Sequence, residues 1–196
     1  RMTFARFVAA NLSKPGRPRG ELGFLKPVMR RAFLARHGLA YDERLRLGED
    51  FDLYARMLLA GARFRLVAAC GYLAIERANS LSACHAAADL GALVEADDRM
   101  LAGPLASAER AILRRHRAQC ARRWHHRHFL DAKRASGLMR ALFDHRDRPR
   151  LLLDAAVGVA RDKLALLRRG HAAELTGAPA GAGAGQPRPP RFLIAP

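Results

Sequence analysis

Cysteine is scarce: Cys70, Cys84 and Cys120 are the three in 196 residues, an odd set without CxxC spacing. That fits the reduced thiols of a cytosolic protein better than a disulfide framework. Lysine is nearly absent, standing only at 14, 26, 133 and 163, so the net charge of +17 is carried almost entirely by arginine. With the abundance of alanine, this reads as genome composition more than as a selected Lys/Arg patch, yet a charge of that size must face water or something anionic. No uninterrupted apolar run approaches the roughly 18 residues a membrane-spanning helix needs, and no charged-then-apolar leader is visible. Aromatic residues make up 7% and no base-reading motif occurs, which weighs against single-strand stacking on RNA.

What is present divides into three zones. Residues 1–86 read as an α/β stretch. It holds a short helix at 3–10, a Pro/Gly/Arg loop at 13–20 and a strand at 22–25. A helix at 28–37 closed by Gly38 follows, then one at 50–60 closed by Gly61, and strands at 64–68 and 71–75. The glycines after the helices are left-handed terminators, and the two late runs are short, Gly-bounded and rich in Val, Ile, Tyr and Phe. Residues 87–169 turn helical, with apolar residues recurring every three or four positions, which predicts three or four packed helices ending in an amphipathic segment at 149–169. From Gly170 the composition falls to Ala, Gly and Pro, and 170–196 is expected to be a disordered tail.

The most informative stretch runs from Gly48 to Gly61, Gly-Glu-Asp-Phe-Asp-Leu-Tyr-Ala-Arg-Met-Leu-Leu-Ala-Gly. Gly48 can bring backbone close to a ligand, and Glu49, Asp50 and Asp52 fill a first helical turn that favours negative charge. Phe51, Leu53, Tyr54, Met57 and Leu58 cover most of the circumference, so the helix is expected to be buried and its acidic end held rigidly. Acids at a helix start are also ordinary caps and dipole partners. Asp52 fits that lesser role, with Arg56 one turn on as its partner.

Context decides for Asp50. Upstream stand a Gly-led apolar run at 21–27, Arg30-Arg31-Ala32-Phe33-Leu34, and Gly38-Leu39-Ala40-Tyr41-Asp42-Glu43. In that order, followed by Gly48-Glu49-Asp50, they resemble the second half of a family 2 glycosyltransferase catalytic domain of the GT-A type, nearest the succinoglycan-type exopolysaccharide transferases. The resemblance covers roughly residues 20–85 and is an ordered set of motifs. It implies an incomplete GT-A domain at 1–86, its N-terminal part lying outside this sequence, with a helical region and tail appended. It implies a bacterial, cytoplasmic enzyme; a separate reading compatible with it rests the basic helices on an anionic membrane, as a peripheral contact at the inner face. That enzyme would transfer a sugar from a nucleotide-sugar donor to a saccharide or lipid-linked acceptor, with inversion.

By the same resemblance Asp50 is the general base on the acceptor hydroxyl, one carboxylate sufficing for in-line displacement, and Glu49 is its orienting neighbour. The loop Glu76-Arg77-Ala78-Asn79-Ser80-Leu81-Ser82 is similar to the family's segment near the diphosphate, which makes Arg77 and Ser80 candidates for substrate binding along with Gly48; a solvent-facing loop fits Arg77 equally well. His85 is better read as a surface histidine than a metal neighbour. A divalent metal, Mn or Mg, is expected in the whole enzyme, held by an Asp-x-Asp motif absent here. Asp50-Phe51-Asp52 has the spacing but stands at the base position.

One further constellation carries possible ligands: His116, Cys120, Trp124, His125, His126 and His128 on one predicted helix. Arg114, Arg115, Arg117, Arg122, Arg123 and Arg127 surround them and oppose a cation, and the sequence supplies no third and fourth ligand, so a solvated basic face is the reading preferred over zinc. That face also sustains the alternative of a basic helical nucleic-acid-binding module. Against it, the basic residues are spread along the whole chain.

Overall fold

The computed structural model describes residues 2–13, 22, 25, 27–66 and 86–176, with side chains through 164 and at 167. Seven helices appear among them: α1 Phe4–Asn11, α2 Arg31–Arg36, α3 Glu49–Leu59, α4 Ala87–Ala102, α5 Ser107–Ser136, α6 Leu138–Asp144 and α7 Pro149–Thr176. The only β pairing among the described residues is an antiparallel bridge between Met2 and Phe64. Of the strands expected at 22–25, 64–68 and 71–75, the last lies outside the described residues. At the first, the Leu25 N–H donates to the Leu22 carbonyl at 3.3 Å, a turn contact.

Local chemistry sets the helix ends. Thr3 caps α1 by accepting the Arg6 N–H at 3.3 Å. Helices α2 and α3 both end in the paired 6→1 and 5→2 bonds of a left-handed terminator: Leu39 to Leu34 and Gly38 to Ala35 in one, Ala62 to Met57 and Gly61 to Leu58 in the other. Gly38 and Gly61 supply the positive φ these turns require, +59° and +86°. Helix α2 starts at Arg31, three residues later than expected, because Arg30 is extended and no side chain caps it. The backbone N–H groups of Ala86 and Ala106 donate to the Asp89 and Glu109 carboxylates and open α4 and α5. Helix α7 continues past Gly170 to Thr176, beyond the boundary read from composition.

Two cores result. The larger gathers Phe7, Phe51, Leu53, Tyr54, Leu93 and Leu113 from α1, α3, α4 and α5, with Phe7 stacked on Phe51 at 5.6 Å. Burying a Phe or Leu side chain of this kind contributes about 1.5–3 kcal/mol, so α3 is anchored by several such groups. The smaller core joins Phe129, Ala141, Leu151 and Ala155 where α6 and α7 meet α5. Helix α5, about 45 Å long at 1.5 Å per residue, is the spine shared by both.

Candidate functional site

Gly48 stands immediately before α3 with φ +77° and ψ 18°, the left-handed conformation that glycine adopts without strain. A Cβ there would lie 2.8 Å from Leu93 Cδ1, so the glycine also lets the head of α3 sit against α4. Glu49, Asp50 and Asp52 then occupy the first turn. The helix is buried from Phe51 to Ala55, as its near-complete apolar girth predicts, while Glu49 and Asp50 are half-buried at its open end.

Two tyrosines converge on Asp50. The Tyr41 hydroxyl donates to Oδ1 at 3.0 Å, and the Tyr54 hydroxyl, one turn along α3, stands 3.1 Å from the same oxygen. Tyr54 Oη is also 3.3 Å from the Leu25 carbonyl, so its single proton serves two acceptors. Burial first, then the charge of Asp50, holds the Tyr54 phenol far above its ordinary range, and Tyr41 is raised by burial and then by its hydrogen bond to Asp50. Both therefore stay protonated donors. Sequence reasoning missed this pair; the signal was Tyr54 at i+4 from Asp50.

Asp52 has a different task. It is 3% exposed, and Arg56 grips Oδ2 through Nε at 2.8 Å and Nη2 at 2.6 Å, while the same Nη2 reaches the Ala40 carbonyl at 2.7 Å. The expected Asp52 and Arg56 pairing is thus present, and it ties α3 to the segment after α2. Asp50 and Asp52 lie about 200° apart around the helix, with separate partners, so the Asp50-Phe51-Asp52 spacing builds no metal chelate. Beyond Arg56, an open cleft of about 530 Å³ is lined by Asp42, Arg44, Asp52, Arg56 and Arg99. Asp42 binds Arg44 and Arg99, each at 2.8 Å, and the Arg44 hydrogen bonds pull its carboxyl down to about 2. The guanidinium groups here already hold carboxylates.

Behind α3 is a buried polar cluster. His116 of α5 contacts Asp97 of α4, Nδ1 to Oδ2 at 2.8 Å, and the Cys120 sulfur is 3.9 Å from both ring nitrogens. Phe51 stacks on the imidazole at 4.1 Å. Burial lowers the imidazole's affinity for a proton, but the Asp97 hydrogen bond and Cys120 outweigh it and lift His116 to about 10. Asp97 is displaced upward by burial. Asp97, His116 and Cys120 bring their ligand atoms within 4.8 Å of one another, so the fold supplies a third candidate ligand that no reading of α5 alone could find. The short bond and the stacking make it a buried ion pair supporting α3.

The remaining members of the His-rich stretch are divided among the packing seams. His125 meets Asp154 of α7 at 2.7 Å, His126 stands 3.5 Å from Asp162, and Trp124 packs at Gly91 of α4. The solvated basic face expected there therefore applies to the arginines: Arg114, Arg115, Arg122, Arg123 and Arg127 are exposed, and Arg117 pairs with Asp98. The structure brings Gly48, Glu49 and Asp50 together at one helix head. Arg77 and Ser80, with His85, lie outside the described residues.

Comparison with known proteins finds similarity to proteins of exopolysaccharide synthesis. Succinoglycan biosynthesis protein ExoU of Rhizobium meliloti (strain 1021) is 50% identical over 158 residues, 80% of this chain and 46% of that protein. Succinoglycan biosynthesis protein ExoO of the same organism is 32% identical over 100 residues, 51% of this chain and 28% of that protein. The chain spans less than half the length of either curated relative. No protein-family model matches, and no solved structure matches. Over most of its length, then, the chain is homologous to a bacterial succinoglycan biosynthesis protein.

Proposed function

We propose that this chain is the acceptor-side part of a GT-A glycosyltransferase of exopolysaccharide synthesis. It acts on a nucleotide-sugar donor and a saccharide or lipid-linked acceptor, with inversion. The reading is carried by the 50% identity to ExoU together with the coincidence of the Glu49-Asp50 pair with a helix head built for a carboxylate. Asp50 is the base. Among the described residues both tyrosines engage Oδ1, which leaves Oδ2 for the proton of an acceptor hydroxyl. The N-terminus of α3 and the two phenol groups hold the Asp50 side chain in place. The acceptor hydroxyl acidifies as its oxygen bonds the anomeric carbon, so its proton leaves late. Glu49 orients the acceptor, and Gly48 lets it approach the backbone. Arg77 and Ser80 are assigned to the donor diphosphate by resemblance. The Mn or Mg ion expected for such enzymes finds no Asp-x-Asp chelate at the head of α3, where Asp50 and Asp52 hold separate partners.

The test is sugar transfer from a nucleotide-sugar donor by the whole protein that carries this chain. Asp50→Asn keeps the size of the side chain but cannot accept a proton, so turnover should fall on the order of 100-fold or more, with donor affinity unchanged. Asp52→Asn should weaken stability and leave turnover within a small factor. Normal turnover of Asp50→Asn would remove the base assignment, since asparagine caps a helix almost as well as aspartate.

A further inference from the structure

Helix α7 is apolar on two opposite sides, and only one is covered. Leu151, Ala155 and Gly158 form its inner seam against α5, packed so closely that a Cβ at Gly158 would run into the His126 ring. Leu153, Val157, Leu164 and Leu167 fall roughly 180° away at 100° per residue, and each is at least 48% exposed. Helix α6 adds Met139 and Phe143, 78% and 58% exposed, beside its single buried residue Ala141. Side chains this large are ordinarily turned inward when a helix has a polar alternative.

The charge around this stripe is one-sided. The two acids between residues 149 and 164, Asp154 and Asp162, both lie on the α5 side, beside His125 and His126. Arg150, Arg161 and Lys163 are exposed and stand about 60–80° to either side of the outer stripe. On α6 the acid Asp144 is held by Arg140, and Arg146 lies over the Phe143 ring at 4.2 Å.

We infer that the outer face of α6 and α7 docks on an anionic lipid surface. The leucines and valine enter the boundary between headgroups and acyl chains, while the flanking cations bind the headgroups. No described helix is long and apolar enough to cross a membrane, so the helix lies along it. Charge complementarity selects this occupant over a second copy of the chain, which would set Arg150, Arg161 and Lys163 against the same cations, while the acids nearby, Asp144 and Asp147, already stand beside Arg140 and Arg146. The inference stands on the face alone and does not depend on the transferase reading.

Flotation of the full chain with phosphatidylcholine vesicles, with and without phosphatidylglycerol, tests it. Binding is expected only when phosphatidylglycerol is present, and it should weaken as salt rises. The Arg150→Gln, Arg161→Gln, Lys163→Gln variant should lower partitioning on the order of 100-fold, roughly fivefold per cation. The Leu153→Gln, Val157→Gln, Leu164→Gln variant should lose binding while keeping its helical circular dichroism, since these side chains are exposed. A folded chain that ignores the anionic vesicles overturns the inference, as does either variant floating like the parent. It is equally overturned if the chain forms a dimer that the Leu/Val variant breaks and that does not bind vesicles, or if it takes up RNA through this face in preference to lipid.

Discussion

Replacing His116 with glutamine removes the cation hydrogen-bonded to Asp97, whose side chain is wholly buried and 2.8 Å away. Breaking one side of a buried pair costs about 3–5 kcal/mol, because the remaining charge is stranded without solvent. Glutamine keeps an N–H donor, so the lower end, about 3 kcal/mol, is expected, a large share of the 5–15 kcal/mol typical of a domain. Urea unfolding followed by circular dichroism measures it. The pH dependence is a second signature. His116 is raised from 6.5 to about 10, so the stability it contributes is fully present below pH 6.5 and is lost as pH climbs through about 10. Between those limits stability should decline by up to about 1.4 kcal/mol per pH unit. The glutamine variant should lose that slope. The same change should disturb Asp50, because Phe51, its neighbour in α3, rests on the imidazole at 4.1 Å. A cost under about 1 kcal/mol, the worth of an ordinary neutral hydrogen bond, or a pH slope unchanged in the variant, would refute the ion-pair account.

Other changes follow from single contacts. Gly48→Ala forces a Cβ into φ +77° and against Leu93, and should cost about 1–2 kcal/mol by thermal or urea unfolding. Gly158→Ala should cost about 1–3 kcal/mol by overpacking the α5 and α7 seam at His126, with the larger core untouched. Tyr54→Phe removes one of the two donors to Asp50, a charge-assisted bond of about 1.5–3 kcal/mol. It should slow transfer in the whole enzyme several-fold or more, whereas an equal rate would make Tyr54 a packing residue only.

What could be read from the sequence was local. The head of α3 lies at Gly48 and Glu49 because a glycine precedes three acids, and its end lies at Gly61 because only glycine takes the left-handed turn cheaply. The helical zone after residue 86 was visible in its apolar recurrence. The Asp52 and Arg56 pair was visible because i and i+4 are neighbours on any helix. Where composition replaced periodicity as the guide, the boundary slipped: α7 runs through Gly170, since one glycine costs an established helix only about 1 kcal/mol.

What the tertiary structure alone decided depends on which helix faces meet. Asp97 finds His116 nineteen positions away, and Tyr41 reaches Asp50 from a loop, so neither contact has a fixed sequence interval. The His-rich face of α5 looked uniform along the chain, yet packing sends His116 to α4 and His125 and His126 to α7, leaving most of the arginines to solvent. The amphipathic pattern of α7 likewise announced a helix without telling which apolar side would be covered. Periodicity places side chains around an axis, and only the neighbouring helix determines which of those sides is buried.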